Sequence, residues 1–144
     1  MQKPAFGDFL KESGTTYGRP WHANLADEGC TLTLPDGGVL LEDDAWRPDE
    51  ASYRMLLRVL DELEGLTRAA AGYLAAVVDP VRHGMQGTPY LNHLACDARA
   101  ERVTLAMTWE TKVYAEYSVT FAWRVGADGG APEYRPLAMG FRNQ

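Results

Sequence analysis

Strands gathered on either side of a helical stretch, without regular strand–helix alternation, predict an α+β protein. Three stretches carry that reading. In "YAEYSVTFAW", residues 114–123, Ala115, Tyr117, Val119, Phe121 and Trp123 form an apolar face. Tyr114, Glu116, Ser118, Thr120 and Ala122 form a largely polar one, which is the period of a half-buried strand. In "CTLTLPDGGVLLED", two strand-like runs flank Pro35-Asp36-Gly37-Gly38. Proline presets φ there and the glycines accept positive φ, so the stretch predicts a hairpin. Between the two, Tyr53, Leu56, Leu57, Leu60, Leu63, Leu66, Ala70, Tyr73, Leu74 and Val77 step by three and four, as on one face of a helix.

Taken in order, residues 1–20 read as an irregular segment, with a short helical turn around "FGDFLKE" and a loop at "GTTYGRP". Trp21, Ala23 and Leu25 alternate with His22, Asn24 and Ala26, which predicts a strand before the hairpin. Asp49 is the expected N-cap of the helix, and Glu50 suits its positive end. Arg54, Arg58, Asp61, Glu62 and Arg68 take the solvent side. The stripe keeps phase across Gly65, so one long central helix over residues 49–79 is expected, with a kink at Gly65 as the alternative. Pro80 cannot continue it, lacking an amide hydrogen.

The glycines and proline of "VRHGMQGTPYLNHLACDARAE" predict a loop with a short element around "YLNHLAC". A three-strand antiparallel meander over residues 103–142 follows. Val103, Leu105, Met107 and Trp109 share one face of its first strand, and residues 115–123 form the second. Leu137, Met139 and Phe141 share a face of the third, where Pro136 indicates an edge or a strand start. The meander and the N-terminal strands are expected to form a mainly antiparallel sheet packed on the helix. Burying Phe121 or Trp123 there would contribute roughly 1.5–3 kcal/mol each.

The 144 residues suggest one domain, and 46% apolar against 24% charged residues is the balance of an ordered chain. With 20 acidic and 14 basic side chains, a net charge of −6 and no Lys/Arg run, nucleic acid is disfavoured as a partner, whereas a basic protein is not. No secretory signal opens the chain and no 18-residue apolar run spans a membrane, so a cytoplasmic location is expected. Cys30 and Cys96 fit two buried, reduced thiols, with a disulfide as the alternative.

Catalytic signatures are missing. There is no G-x-S-x-G elbow, P-loop or G-x-G-x-x-G, and no cysteine opens a helix. His83, His93 and Cys96 lie within fourteen residues, and His93-x-x-Cys96 has a metal-ligand spacing, but a zinc site needs a fourth group such as Asp97. A polar, half-buried loop is the plainer reading, and no metal or cofactor is expected. Tyr17, Trp21, Trp46 and Tyr90 suit either a small-molecule pocket or the rim of the core. Glu42, Asp43, Asp44, Asp49 and Glu50, with Trp46 among them as an aromatic anchor, form the acidic edge most suited to a basic protein surface.

The "W-x-A-x-L" strand, the "LTLPDGGVLLED" hairpin, the long helix, "YAEYSVTFAW" and the closing "PLAMGF" together resemble a group of small bacterial α+β proteins. That group includes uncharacterised families and immunity proteins that neutralise polymorphic or contact-delivered toxins. The resemblance is architectural, covers most of the chain from Trp21 onward, and implies a cytoplasmic, non-enzymatic protein-binding module that occludes a toxin domain. Two readings stand beside it. One is a ligand-binding protein or enzyme with a pocket between helix and sheet and His83, His93 and Cys96 near its mouth. The other is a homodimer paired through a strand edge.

Overall fold

The computed structural model describes residues 2–11, 20–25, 29–39, 46–78, 86–110, 115–125 and 130–143. Its organising strand is Cys30–Leu34, which buries Cys30, Leu32 and Leu34 on one face and leaves Thr31 and Thr33 on the other. In chain order the strands are β1 (Leu10–Lys11), β2 (Trp21–Leu25), β3 (Cys30–Leu34), β4 (Asp36–Val39) and β5 (Trp46–Pro48). Helices α1 (Glu50–Asp61) and α2 (Leu63–Val77) follow, then β6 (Gln86–Asp97), β7 (Arg102–Glu110), β8 (Ala115–Arg124) and β9 (Glu133–Asn143). A seven-stranded sheet runs β1-β2-β3-β6-β7-β8-β9, and β4 and β5 pair separately. Every pairing is antiparallel except β3 with β6. The fold is thus α+β, with a mostly antiparallel sheet. Among the described residues, no helix is long and apolar enough to cross a membrane.

Both helices cover one face of the sheet. Met55, Leu56, Val59 and Leu60 of α1 and Leu63, Leu66, Ala70 and Leu74 of α2 meet Leu32, Leu94, Val103, Leu105, Met107, Val119 and Phe121 in one core. Asp49 caps α1, its carboxylate accepting from Ser52 N–H (3.1 Å) and the Ser52 hydroxyl (2.6 Å). The fully buried Ser52 oxygen accepts the Ala98 amide (2.9 Å), which ties the helix start to the β6–β7 turn. Tyr53 reaches back to the Pro4 carbonyl (2.9 Å) and meets Phe6 and Phe9 edge-on, so the N-terminal segment closes over α1.

Three expectations need correction. The helical stretch is two helices, and the break is at Glu62. There φ is −106° and ψ 10°, and the ladder tightens to an i→i−3 bond from Glu62 N to Val59 O (3.0 Å). Leu60 and Leu63 stay buried on either side, so the apolar stripe runs through a break it does not reveal. Gly65 lies inside α2, where a Cβ would stand 3.5 Å from the Tyr134 hydroxyl of β9.

The Pro35–Gly38 hairpin does not form. β3 takes β2 and β6 as its neighbours, while Asp36–Val39 is itself a strand paired with β5. A Cβ at Gly37 would lie 2.6 Å from the Pro48 carbonyl oxygen, so this glycine permits a close strand approach. The segment expected to be mostly loop is β6, a twelve-residue strand near the middle of the sheet. Leu91 pairs with Met107 and His93 with Ala106, which leaves Asn92 as an extra bulge residue. The bulge sets Leu91, Leu94 and Cys96 on one face at spacings of three and two, and so hides the strand period.

The C-terminal meander forms as β7, β8 and β9. Val103, Leu105, Met107 and Trp109 are all buried, as are Val119, Phe121 and Trp123. In β9, Met139 pairs with Val119 and Phe141 with Tyr117, whereas Leu137 is the extra residue of a second bulge. Cys30 and Cys96 are buried thiols outside any disulfide, and burial pushes the Cys96 thiol far above its ordinary value.

Candidate functional site

The sheet face away from the helices is polar in the sequence pattern and is built by strands distant along the chain. His22 pairs with Thr33, Thr31 with His93, and His93 with Ala106. This brings two histidines to one threonine. His22 Nδ1 lies 3.0 Å from Thr33 Oγ1, which is also hydrogen-bonded to His93 Nε2. The two rings stand nearly perpendicular with centroids 6.3 Å apart. Glu116 of β8 accepts from Asn92 Nδ2 of β6 (3.1 Å), reaching across β7, and Thr104 meets Thr120 (3.0 Å).

Burial lowers the His93 pKa from 6.5; Glu116 opposes that shift and His22 adds to it. Burial favours the neutral His93 ring, whose Nε2 can accept the Thr33 hydroxyl in one tautomer; the Thr33 oxygen can then accept from His22 Nδ1. Such a chain can hold a proton or move one between rings. Among the described residues, no three His, Cys, Asp or Glu side chains converge for a metal.

The residues singled out by sequence fare unevenly. His93 and Cys96 sit three apart on one strand and on opposite faces, Cys96 in the core and His93 on the polar face. They cannot share a ligand: Cys96 packs into the helix–sheet core, and His93 lies on the opposite face of the sheet. Asp49 is engaged as a helix cap, while Glu50 is exposed in the first turn of α1, 3.9 Å from Arg54. Glu42, Asp43, Asp44, His83, Tyr17 and the Trp46 side chain lie outside the described residues. Trp21 covers the end of the core and donates from Nε1 to Asp36 Oδ1 (3.0 Å); Tyr90 is exposed. No sequence spacing joins His22 and Thr33 to His93, because only strand pairing brings them together, His93 lying sixty residues beyond Thr33.

A second feature lies at the sheet's far end. Outermost strand β9 turns Met139 (47% exposed) and Phe141 (60%) toward the helix side, with Leu137 (41%) at its bulge. On α2, Tyr73 (40%) and Val77 (62%) are also exposed. Tyr117 meets Phe141 (4.9 Å) and Tyr73 leans on Phe121 (6.2 Å), so the exposed side chains rest on the core. Comparison with protein-family models, with curated proteins and with solved structures finds no match.

Proposed function

We propose that this chain is a non-enzymatic protein-binding module, a bacterial cytoplasmic immunity protein that occludes a cognate toxin domain. The observation that supports this reading is the outer strand β9. It pairs with β8 on one side only among the described residues, and it carries Leu137, Met139 and Phe141 41–60% exposed. An edge strand offers unpaired backbone groups, and exposed apolar side chains on such a strand suit a recognition surface. The acidic stretch Glu42, Asp43, Asp44, Asp49 and Glu50 would contribute long-range attraction to a basic partner, with Trp46 as its aromatic anchor.

The test is affinity capture of the tagged chain from a bacterial lysate, read by mass spectrometry, beside Met139→Asp and Phe141→Asp. The expected result is one stoichiometric protein held through moderate salt by the wild type and lost from both variants. Recovery of the chain alone, or equal capture by all three, would reject the reading.

The His22–Thr33–His93 chain favours a second reading, a small-ligand-binding protein or enzyme that handles a proton on the polar sheet face. A thermal shift with a metabolite set that disappears in His93→Gln would support it. A shift that survives this substitution would remove it.

A further inference from the structure

In a chain of net charge −6, three arginines line one cleft. Between α1 and the end of β8 lies a cleft of about 490 Å³, within the range of small-molecule sites. Ala51, Met55 and Trp123 give it an apolar lining, and Arg54, Arg58 and Arg124 supply its charge. Arg54 and Arg58 are one helical turn apart, which places them on the same side of α1.

The acidic groups nearby leave this charge unbalanced. Glu50 reaches Arg54 only at 3.9 Å, and Glu101 reaches Arg124 at 3.5 Å, both pairs being largely exposed. Arg58 makes no ion pair among the described residues. Two further observations fall on the same cleft. Trp123 is 2% exposed, yet its indole N–H has no acceptor among the described residues. Glu101, which also lines the cleft, is the one described non-glycine residue at positive φ (54°), held there by the Trp123 backbone amide and the Arg102 guanidinium on its carbonyl. A buried donor without an acceptor and a strained turn residue are features that functional sites retain at a cost in stability.

We infer that this cleft binds a small molecule carrying a carboxylate or a phosphate on an apolar body. The guanidinium forks of Arg54, Arg58 and Arg124 suit either anion, and the Met55 and Trp123 side chains suit the apolar part. Both the β9 surface and the His22–Thr33–His93 chain are independent of this site.

Titration of the full-length ¹⁵N-labelled chain, following the indole N–H resonances, tests the inference. Trp123→Phe identifies the Trp123 signal among those of the four tryptophans. Phenylacetate, phenyl phosphate and inorganic phosphate are the probes. A saturable movement of the Trp123 signal with phenylacetate or phenyl phosphate is expected, and the tighter of the two names the anion. Arg58→Glu, on an exposed side chain, should weaken binding roughly tenfold or more with an unchanged far-ultraviolet circular dichroism spectrum, and Arg54→Gln should act in the same direction. Phe141→Asp should leave the titration as it is. Three results would overturn the inference: no saturable movement with either aromatic probe, binding indifferent to Arg58→Glu, or inorganic phosphate binding as tightly as phenyl phosphate.

Discussion

Strands β8 and β9 carry apolar residues on the same face of the sheet, but they meet different surroundings. Val119 and Phe121 of β8 are fully buried, whereas Met139, the register partner of Val119, is 47% exposed and Phe141 is 60% exposed. The helix layer accounts for the difference. Helix α2 packs across β6, β7 and β8, and Tyr134 ties the start of β9 to the core by lying edge-on to Phe121 and stacked on Trp123 of β8. Beyond Tyr134 the strand runs past the covered area. Apolar alternation therefore marks a face, while burial depends on what lies over that face. A strand that keeps the pattern without the cover keeps side chains for something else.

The sharpest way to break this comparison is to truncate both strands. Phe121→Ala should cost about 3–5 kcal/mol, because it opens a cavity in a close-packed core. Phe141→Ala should stay within about 0.5–1 kcal/mol, as exposed substitutions do. Urea denaturation measures both, and similar losses would mean that β9 is as much a part of the core as β8. Next in size is the attachment of the helix layer. Ser52→Ala removes the buried acceptor of the Ala98 amide and a donor to Asp49, so it should cost about 1–3 kcal/mol by the same assay. A smaller loss would place the anchoring of α1 in its apolar contacts alone.

The two sheet faces should also answer differently to acid. His93 on the polar face has a folded-state pKa below its unfolded value of 6.5. The unfolded chain then binds the extra proton first. Stability is whole above pH 6.5 and falls as the pH drops from there through the folded value. Thermal denaturation across that range should show the loss, and His93→Gln should flatten it. The Cys96 thiol on the covered face is raised instead and stays protonated throughout, so Cys96→Ser should leave the pH dependence unchanged. The smallest expected effect is at Glu101, where glycine accepts the left-handed backbone freely. Glu101→Gly should change stability by about 0–1 kcal/mol in the favourable direction, and a clear loss would show that its contact with Arg124 outweighs the strain.

Much of this fold is legible in the sequence where a regular period meets a regular partner. The alternation over residues 103–109 and 115–123, the Asp49 cap and the edge character announced by Pro136 all reappear in the structure. The period fails where one residue is inserted. Asn92 and Leu137 each add a bulge, which made β6 look like a loop and assigned Leu137 to the face of Met139 and Phe141. The break at Glu62 was hidden because a tightened turn conserves the apolar stripe. Pro35–Gly38 carried turn chemistry, yet its glycines serve a close approach to Pro48 and a positive φ (82°) at Gly38.

The candidate sites were less legible, and for a physical reason. The His93-x-x-Cys96 spacing would suit a helix, but a strand sends its two ends to opposite faces. His22, Thr33 and His93 come together only through the order of strands in the sheet. Arg54 and Arg58 read as a solvated helix side until the end of β8 brings Trp123 and Arg124 beside them.

The single parallel junction, β3 on β6, has a kinetic consequence. Strands β6 to β9 are successive neighbours, so their pairings close over short stretches of chain. Thr33 and His93 must meet across sixty residues that include both helices, and a loop of that length closes slowly. The C-terminal meander would therefore nucleate first, α2 would settle on it, and β1 to β3 would join last as a flap along the β6 edge. During synthesis the order is reversed, since the N-terminal strands emerge before the surface that receives them. Nascent chains would thus hold β2 and β3 unpaired with β6 until the second half of the protein has left the ribosome.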